Sequence, residues 1–458
     1  MTTISQALAR FICAPIVLGA AEIRAAKAPI SDCIGCIVAA AGEDSAAMIR
    51  RVAEASSPDG PCTVMGSTRA LTPQAAALVN GTAAHALDYD DILWTLYGHP
   101  SVTILPASLA VAESVGGSGR DLIEAYAIGV EIIGKLGRAM NPLHYEHGWH
   151  ATGSIGVIGA TAAAARLMRL DEARTAMALG IAASQAAGVR RNFGTMTKPF
   201  HAGNAARAGI LAAELAREGF TADLTAFEGD FGWARTLNGR SVPVADDLLA
   251  QLGKPWELIE PGIVLKRYPA CGGTHCALDA LLALRKEHGL RYEEIERIEC
   301  HASPLAKKVL LYPRPTTGLE GKFSMEFSLA VAAIEGEAGL QHYQDAWTRD
   351  ARVQELLPRI SFVSRANLEP DVSADAVPAE VTVHARGRTF TRTVWVPSGD
   401  TRNPMTDAQR LEKFMGCIGA KMPAQQGRAL FDMLEGLEQL DGLDALSYPL
   451  RQVRGQAA

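Results

Sequence analysis

The sequence predicts a mainly α protein, a large all-α helical domain joined to a second, smaller α+β domain. Three observations carry this. From about Thr3 to Leu249, alanine, leucine and glycine dominate and apolar residues recur at helical spacing. After Trp256 the composition shifts: Pro261, Gly262, Pro269, Gly272 and Gly273 punctuate the chain, and β-branched residues begin to alternate with polar ones. From Thr406 to Leu440 the pattern is helical again. The expected units are residues 1–258, all-α; 259–400, α+β; and 401–458, C-terminal helices packing back on the first unit. A chain of 458 residues is long for a single core, which agrees with more than one unit.

Within the first unit, Leu122, Ile123, Tyr126, Ala127, Val130 and Ile133 follow helical spacing. Gly156 to Leu167 and Ala176 to Ala187 are apolar nearly all round, as helices inside a bundle are, with small residues permitting close contact. Gly116-Gly117-Ser118-Gly119 joins two helical stretches. In the second unit the expected strands are Glu296–His301, Ile360–Ser364, Glu380–Ala385 and Thr389–Val396; Val381, Val383 and Ala385 alternate with Thr382 and His384. Arg386-Gly387-Arg388 is the hairpin turn, with Gly387 supplying the positive φ. Helices at Cys276–His288 and Met325–Ile334 are expected to cover one face of the sheet.

Composition bounds the function. With 48% hydrophobic, 21% charged and 6% aromatic residues the chain reads as globular and soluble, and no segment reaches the roughly 18 uncharged apolar residues of a membrane span. Met1 to Arg10 lacks the features of a secretory signal, so a cytoplasmic protein is expected. Eight cysteines, Cys13, Cys33, Cys36, Cys62, Cys271, Cys276, Cys300 and Cys417, are too sparse for a disulfide scaffold. Cys33-Ile34-Gly35-Cys36 lies in an apolar helical stretch, where packing is the better reading for both thiols. A net charge of −6 argues against a nucleic-acid surface while leaving room for a local basic pocket. Nothing resembles a Walker phosphate loop, a strand-led Gly-x-Gly-x-x-Gly or a Gly-x-Ser-x-Gly nucleophile turn, so nucleotide cofactors and α/β-hydrolase chemistry are not expected.

Four clusters carry chemistry. The first is His85-Ala86-Leu87-Asp88-Tyr89-Asp90-Asp91 followed by Gly98-His99-Pro100-Ser101; its carboxylates are either solvated or paired with cations, because burying them unpaired is costly. His99 stands just before an expected helix start near Val102, where free backbone N–H groups welcome an anion. The second contains His144, Tyr145, His147 and His150. The three histidines invite a zinc reading, but Gly148 interrupts them and their spacing is not that of helical zinc motifs, so His150 as acid or base with Tyr145 as phenolic donor is preferred. The third places Arg190, Arg191, Lys198 and His201 between two apolar helices, a seat for a substrate with two or three carboxylates. The fourth, Leu265 to His275 at the unit boundary, adds Lys266, Arg267, Tyr268 and His275 where ligand clefts are common.

Taken together, Asn80–Asp91, Gly98–Ser101, Gly148–His150, Gly194–Pro199 and Lys266–Cys271 resemble the MmgE/PrpD family, which includes 2-methylcitrate dehydratases, cis-aconitate decarboxylases and iminodisuccinate epimerases. The resemblance implies a helical domain with an α+β lid, a homodimer, and an active site between the domains that uses no metal or organic cofactor. Thr197-Lys198-Pro199 is more similar to the decarboxylase and epimerase branches than to the dehydratases. By the same resemblance Asp88, His99, His150, Lys198 and Lys266 match residues lining the decarboxylase pocket, and Tyr145 stands where the epimerase branch carries tyrosine. Ile92 departs from the threonine or serine common after the aspartate pair, which puts cis-aconitate itself in doubt.

The expected activity is that of a metal-independent lyase or isomerase moving a proton next to a carboxylate of a small di- or tricarboxylate. A dehydratase and a non-catalytic polycarboxylate-binding protein are the other readings. His99 and His150 are the expected proton-transfer pair, with Asp88 or Asp91 orienting one imidazole and Tyr145 as a donor on the other face. Lys198, Lys266 and Arg191 are expected to stabilise negative charge. Lys266, Arg191, Tyr268 and His275 make up the expected substrate contacts.

Overall fold

The computed structural model describes residues 2–239, 250–365, 368 and 377–453. The end of the expected helical half, 240–249, lies outside the described residues, as do ten residues of the expected α+β unit and the last five of the chain. The N-terminal half is a bundle: α1 Ile4–Cys13, α2 Ala20–Ala40, α3 Asp44–Ser56, a short strand β1 Asp59–Cys62, α4 Pro73–Ala86, α5 Ser101–Val115, α6 Gly119–Met140, the single turns α7 Leu143–Glu146 and α8 Ala151–Ser154, then α9 Gly156–Leu167, α10 Glu172–Ala183 and α11 Thr197–Arg217. No single helix among the described residues is long and apolar enough to cross a membrane.

The link at Gly116–Gly119 shows how local chemistry sets boundaries. Gly116 closes α5 with φ 71°, and Ser118 opens α6 with a capping box, its hydroxyl accepting from the Asp121 N–H. Small residues let the central helices touch backbone to backbone. A Cβ on Gly159 of α9 would come 2.9 Å from the Gly129 carbonyl oxygen of α6. Helix α10 starts a turn earlier than expected, capped by Asp171, and stops at Ala183. The next residues leave the helix because Gly188 and Arg190 are used to pair with His150 and Gly148.

The second core is built on a four-stranded sheet of order β3-β2-β4-β5, with β2 Ile295–Ala302, β3 Ile360–Ser364, β4 Ala379–Ala385 and β5 Arg388–Val394. Strand β2 runs parallel to β3 and antiparallel to β4. Inward residues alternate along β4, with Val381, Val383 and Ala385 buried. The hairpin turn has two residues rather than three. Arg386 and Gly387 both have positive φ, 56° and 64°, as a type I′ turn requires, while Arg388 already pairs with Ala385. Helices His275–His288 and Met325–Glu335 pack on this sheet.

Two apolar cores result. One gathers α1 to α6 and α8 to α11 together with Phe414, Leu430, Leu434, Leu446 and Leu450 from the C-terminal helices. The other is the sheet and its helices, joined by Ile92, Trp94 and Tyr145 from the N-terminal half. These three residues form the seam between the cores.

The crossing of α4 on α11 is close. A Cβ on Gly203 would meet the Leu78 carbonyl oxygen and Thr82 Oγ1 at 2.3 Å each. That approach sets the C-terminal end of α4 against the start of α11, where Pro199 sits in the first turn and its missing N–H costs nothing. Gly203→Ala is expected to lower stability by about 1–3 kcal/mol through overpacking. Chemical denaturation measures it, and an unchanged midpoint would contradict this account of the crossing.

Candidate active site

Helix α4 ends at Ala86, and Asp88 follows in the left-handed region at φ 52°, a conformation that aspartate tolerates better than most residues. The turn delivers its carboxylate to two ammonium groups. Lys198 Nζ, in the first turn of α11, donates to Asp88 Oδ1 at 2.9 Å. Lys266 Nζ donates to the same oxygen at 2.6 Å and to the Asp88 carbonyl at 2.9 Å. Burial alone would raise the Asp88 pKa, but the two lysines outweigh it and hold the carboxyl well below the usual range. Burial likewise opposes the charge on Lys266, and Asp88 and Asp90 overcome it, leaving its pKa raised. Lys322, also buried, donates to the Ala86 carbonyl at 3.0 Å; burial and the neighbouring lysines pull its pKa down to about 8.

Asp90 serves two imidazoles. Its Oδ1 lies 2.9 Å from His85 Nδ1, and its Oδ2 lies 2.8 Å from His99 Nδ1. His99 Nδ1 donates to the Asp91 carbonyl, also at 2.8 Å, with Asp90 Oδ2 beside that line. Both neighbours of Nδ1 are acceptors, so Nδ1 carries the proton and the lone pair of a neutral ring sits on Nε2. Burial lowers the His99 pKa, aided by Lys266 and Lys198 and opposed by Asp90. Burial drives His85 down to about 3 despite Asp90, so both rings are neutral at pH 7.

Asp91 points away from this group. Its carboxyl accepts from the Ser101 hydroxyl and from the Ser101 N–H at the start of α5, and that hydroxyl lies 2.6 Å from Tyr126 Oη. The helix N-terminus that the sequence offered to a ligand anion is taken by the protein's own carboxyl. Burial lifts the Asp91 pKa to about 8.

His150 precedes the single turn α8 and is held by its N–H to the Gly188 carbonyl at 3.0 Å. Its Nδ1 lies 3.0 Å from His201 Nδ1, and its Nε2 is buried without a partner. Burial, reinforced by Lys198, keeps the His150 pKa well below the ordinary value and draws His201 down to about 4. Tyr145 lies under the Arg190 guanidinium, 3.6 Å from the ring centre. Burial raises its phenol pKa against the pull of Arg190, so the hydroxyl stays protonated.

These groups surround a cavity of about 70 Å³ lined by Asp88, His99, Tyr145, His150 and Lys198 from the bundle and by Cys271, Gly272, Gly273 and Val309 from the other core. His85, Asp88, Asp90 and His99 bring one ligand-type atom each within 4.8 Å of one another, the spacing of a metal site. In this arrangement two ammonium groups already crowd Asp88, and Asp90 is taken by imidazole nitrogens. The donor set suits proton transfer better than a cation.

Two family models match the chain: the MmgE/PrpD N-terminal domain over residues 6–244 and the MmgE/PrpD C-terminal domain over 268–439. The chain belongs to the MmgE/PrpD family. It is similar to the cis-aconitate decarboxylase of Homo sapiens, 28% identical over 397 residues that cover 83% of this chain and 80% of that protein. The enzyme of the same name from Mus musculus is 27% identical, covering 94% and 89%. That of Aspergillus terreus is 26% identical, covering 85% and 83%.

Of the residues singled out in this MmgE/PrpD chain, Asp88, Ile92, His99, Tyr145, His150 and Lys198 line one cavity; Asp91, Lys266, Arg191, Tyr268 and His275 do not. Lys266 is fully buried and anchors Asp88. Asp91 caps α5, so neither it nor Asp88 is the carboxylate beside an imidazole; Asp90 is. Arg191 is exposed at the surface, and it is Arg190 that reaches Tyr145. Tyr268 turns its hydroxyl to Asp279 at 2.6 Å, and His275 Nε2 donates to the Ala270 carbonyl at 3.2 Å. The zinc-like histidines diverge: His144 Nε2 lies 2.7 Å from Ser154 Oγ, His147 is exposed, and only His150 lines the cavity. His85, Asp90 and His201 belong to the clusters read from the sequence without a catalytic role assigned there, and Lys322 lies outside all four clusters.

Asp91 offers a test by pH. The native carboxyl holds its proton up to about pH 8, whereas in an unfolded chain it ionises near its ordinary value of 3.8. Between those values the native state binds more protons, so Asp91 makes stability fall as pH rises. Asp91→Asn, which mimics the neutral acid, lacks this contribution, so its unfolding midpoint is expected to gain on that of the wild type as pH rises from 4 to 8. Parallel pH profiles for the two proteins would contradict a protonated Asp91.

Proposed function

We propose that the protein is a metal-independent lyase or isomerase that removes or returns a proton on the carbon next to a carboxylate of a small di- or tricarboxylate, in an epimerase- or decarboxylase-like reaction. The observation that carries this reading is the orientation of His99: its Nδ1 faces two acceptors, which leaves Nε2 as a base in a cavity that also holds an ammonium group. In the step we envisage, Nε2 takes the proton and the C–H electron pair moves into the neighbouring carboxylate as an enediolate. Lys198 is the cation placed to stabilise that charge, since its hydrogen bond to Asp88 uses one of the three donors on its ammonium group. Asp90 stabilises the imidazolium formed on His99, as a carboxylate beside a catalytic histidine does.

Which bond supplies the electron pair of the enediolate, and where the proton returns, decide the reaction. After C–H removal, return of a proton on the other face, from His150 or the Tyr145 hydroxyl, inverts the carbon. In a decarboxylase a C–CO2 bond breaks in place of the C–H bond; carbon dioxide leaves, the pair left on carbon spreads into the neighbouring carboxylate as the same kind of enediolate, and a protonated group in the cavity then protonates the carbon. The names of the relatives, cis-aconitate decarboxylases, support the second route. A protein that only bound carboxylates would need Lys198 but not a base held by its own carboxylate.

Proton NMR in deuterium oxide with citrate, 2-methylcitrate, cis-aconitate, iminodisuccinate and the dicarboxylate 2-isobutylsuccinate tests this. Exchange or turnover of at least one of them is expected, reduced roughly a hundredfold or more in His99→Ala and Lys198→Ala with the fold intact. Silence on all five, or full rates in His99→Ala, would count against it. Because the His99 pKa is lowered, the rate should also hold as pH falls through 6.5 and drop only below it. A rate that is halved at 6.5 would point to another base.

A further inference from the structure

Lys198 is the one lysine or arginine among the described residues that lines the cavity. Lys266 is fully buried behind Asp88, and Arg190 spends its terminal nitrogens on the Tyr145 and Lys308 carbonyls. Charge in the site is nearly matched before any substrate arrives, with Asp88 and Asp90 facing Lys198 and Lys266.

The wall gathered round Gly272 and Gly273 is of a different kind. A Cβ on Gly272 would meet Ile92 Cδ1 at 2.6 Å and the Trp94 ring at 4.0 Å, and one on Gly273 would meet Val309 Cγ2 at 3.4 Å. Ile92, Trp94 and Val309 all line the cavity and belong to the second core, with Leu305 and Val377 beside them. Trp94 has turned its only polar atom away, donating from Nε1 to Asp400 at 3.3 Å. The position of Ile92 is fixed by its backbone, paired in both directions with Val264 at 2.9 Å. A carboxylate pressed on these side chains would lose its water and gain no hydrogen bond from them.

We infer that the substrate carries an alkyl or alkenyl arm in place of the third carboxylate of a citrate-type acid, with one carboxylate at Lys198 and the apolar arm against Ile92, Trp94 and Val309. This rests on the proton-transfer reading of the same cavity and narrows its substrate class. Ile92 is then a specificity residue: its side chain offers a methyl surface where a hydroxyl would receive a carboxylate.

Two probes of nearly equal shape separate the cases: propane-1,2,3-tricarboxylate, and 2-isobutylsuccinate, in which a branched alkyl end replaces one carboxylate. Calorimetric titration of the wild-type protein should give at least tenfold tighter binding of 2-isobutylsuccinate. Ile92→Thr keeps the β-branch and should shrink that preference severalfold; Val309→Thr should do the same, so that poor folding of one variant does not spoil the test. Equal or tighter binding of the tricarboxylate by wild type overturns the inference, as does failure of both probes to bind or an unchanged preference in both variants. Hydrogen–deuterium exchange on the carbons next to the carboxylates of both probes, lost in His99→Ala, judges the proton-transfer reading separately from the binding preference.

Discussion

A single buried carboxylate, Asp88, bridges Lys198 from the helical bundle and Lys266 from the segment that leads into the second core. Three charged groups out of water are tolerable only together, since removing one partner strands the others at a cost of about 3–5 kcal/mol. The requirement explains the geometry around it. The left-handed turn at Asp88 aims the carboxylate, the backbone contact of α4 with α11 brings Lys198 to it, and Lys266 ties down the start of the second core. Asp88 and Lys198 both line the cavity, so the same cluster that joins the two cores holds an ammonium group in it, where the proposed reading seats a substrate carboxylate.

Next to it, three neighbouring acids have different tasks because their surroundings differ. Asp88 is charged against lysines, Asp90 is charged against His85 and His99, and Asp91 is neutral against Ser101. Burial acts on all three in the same direction, and the partners decide the outcome. The arrangement keeps His99 neutral with acceptors on Nδ1, the form that the proposed base requires, while His150, paired with His201, contributes a second neutral imidazole to the cavity.

The fold was largely legible because its signals are local. Helical spacing marks α6 and α9, the Gly116–Gly119 link carries both a C-terminal glycine and a serine cap, and alternation marks β4. The site was legible where motif and chemistry coincide, as at His99, His150 and Lys198. It was not legible where one residue of phase decides. Arg190 and Arg191 are adjacent in a short 3-10 turn, and which of them reaches inward is set by the pairing of residues 188–190 with 148–150. The choice among Asp88, Asp90 and Asp91 depends on a positive φ at an aspartate, which sequence does not announce. His85 and His201 stood in their clusters without an assigned partner, because the turn after α4 folds Asp90 back onto His85 and helix packing brings His201 to His150.

The central claim is that Asp90 and the Asp91 carbonyl hold His99 as a base with Nε2 bare. Nitrogen-15 NMR of histidine-labelled protein at pH 7, with the His99 signals assigned by their loss in His99→Gln, tests this most directly. The account predicts a neutral ring protonated at Nδ1, with Nε2 at the shift of an unprotonated nitrogen. A ring protonated at Nε2, or at both nitrogens, would contradict it.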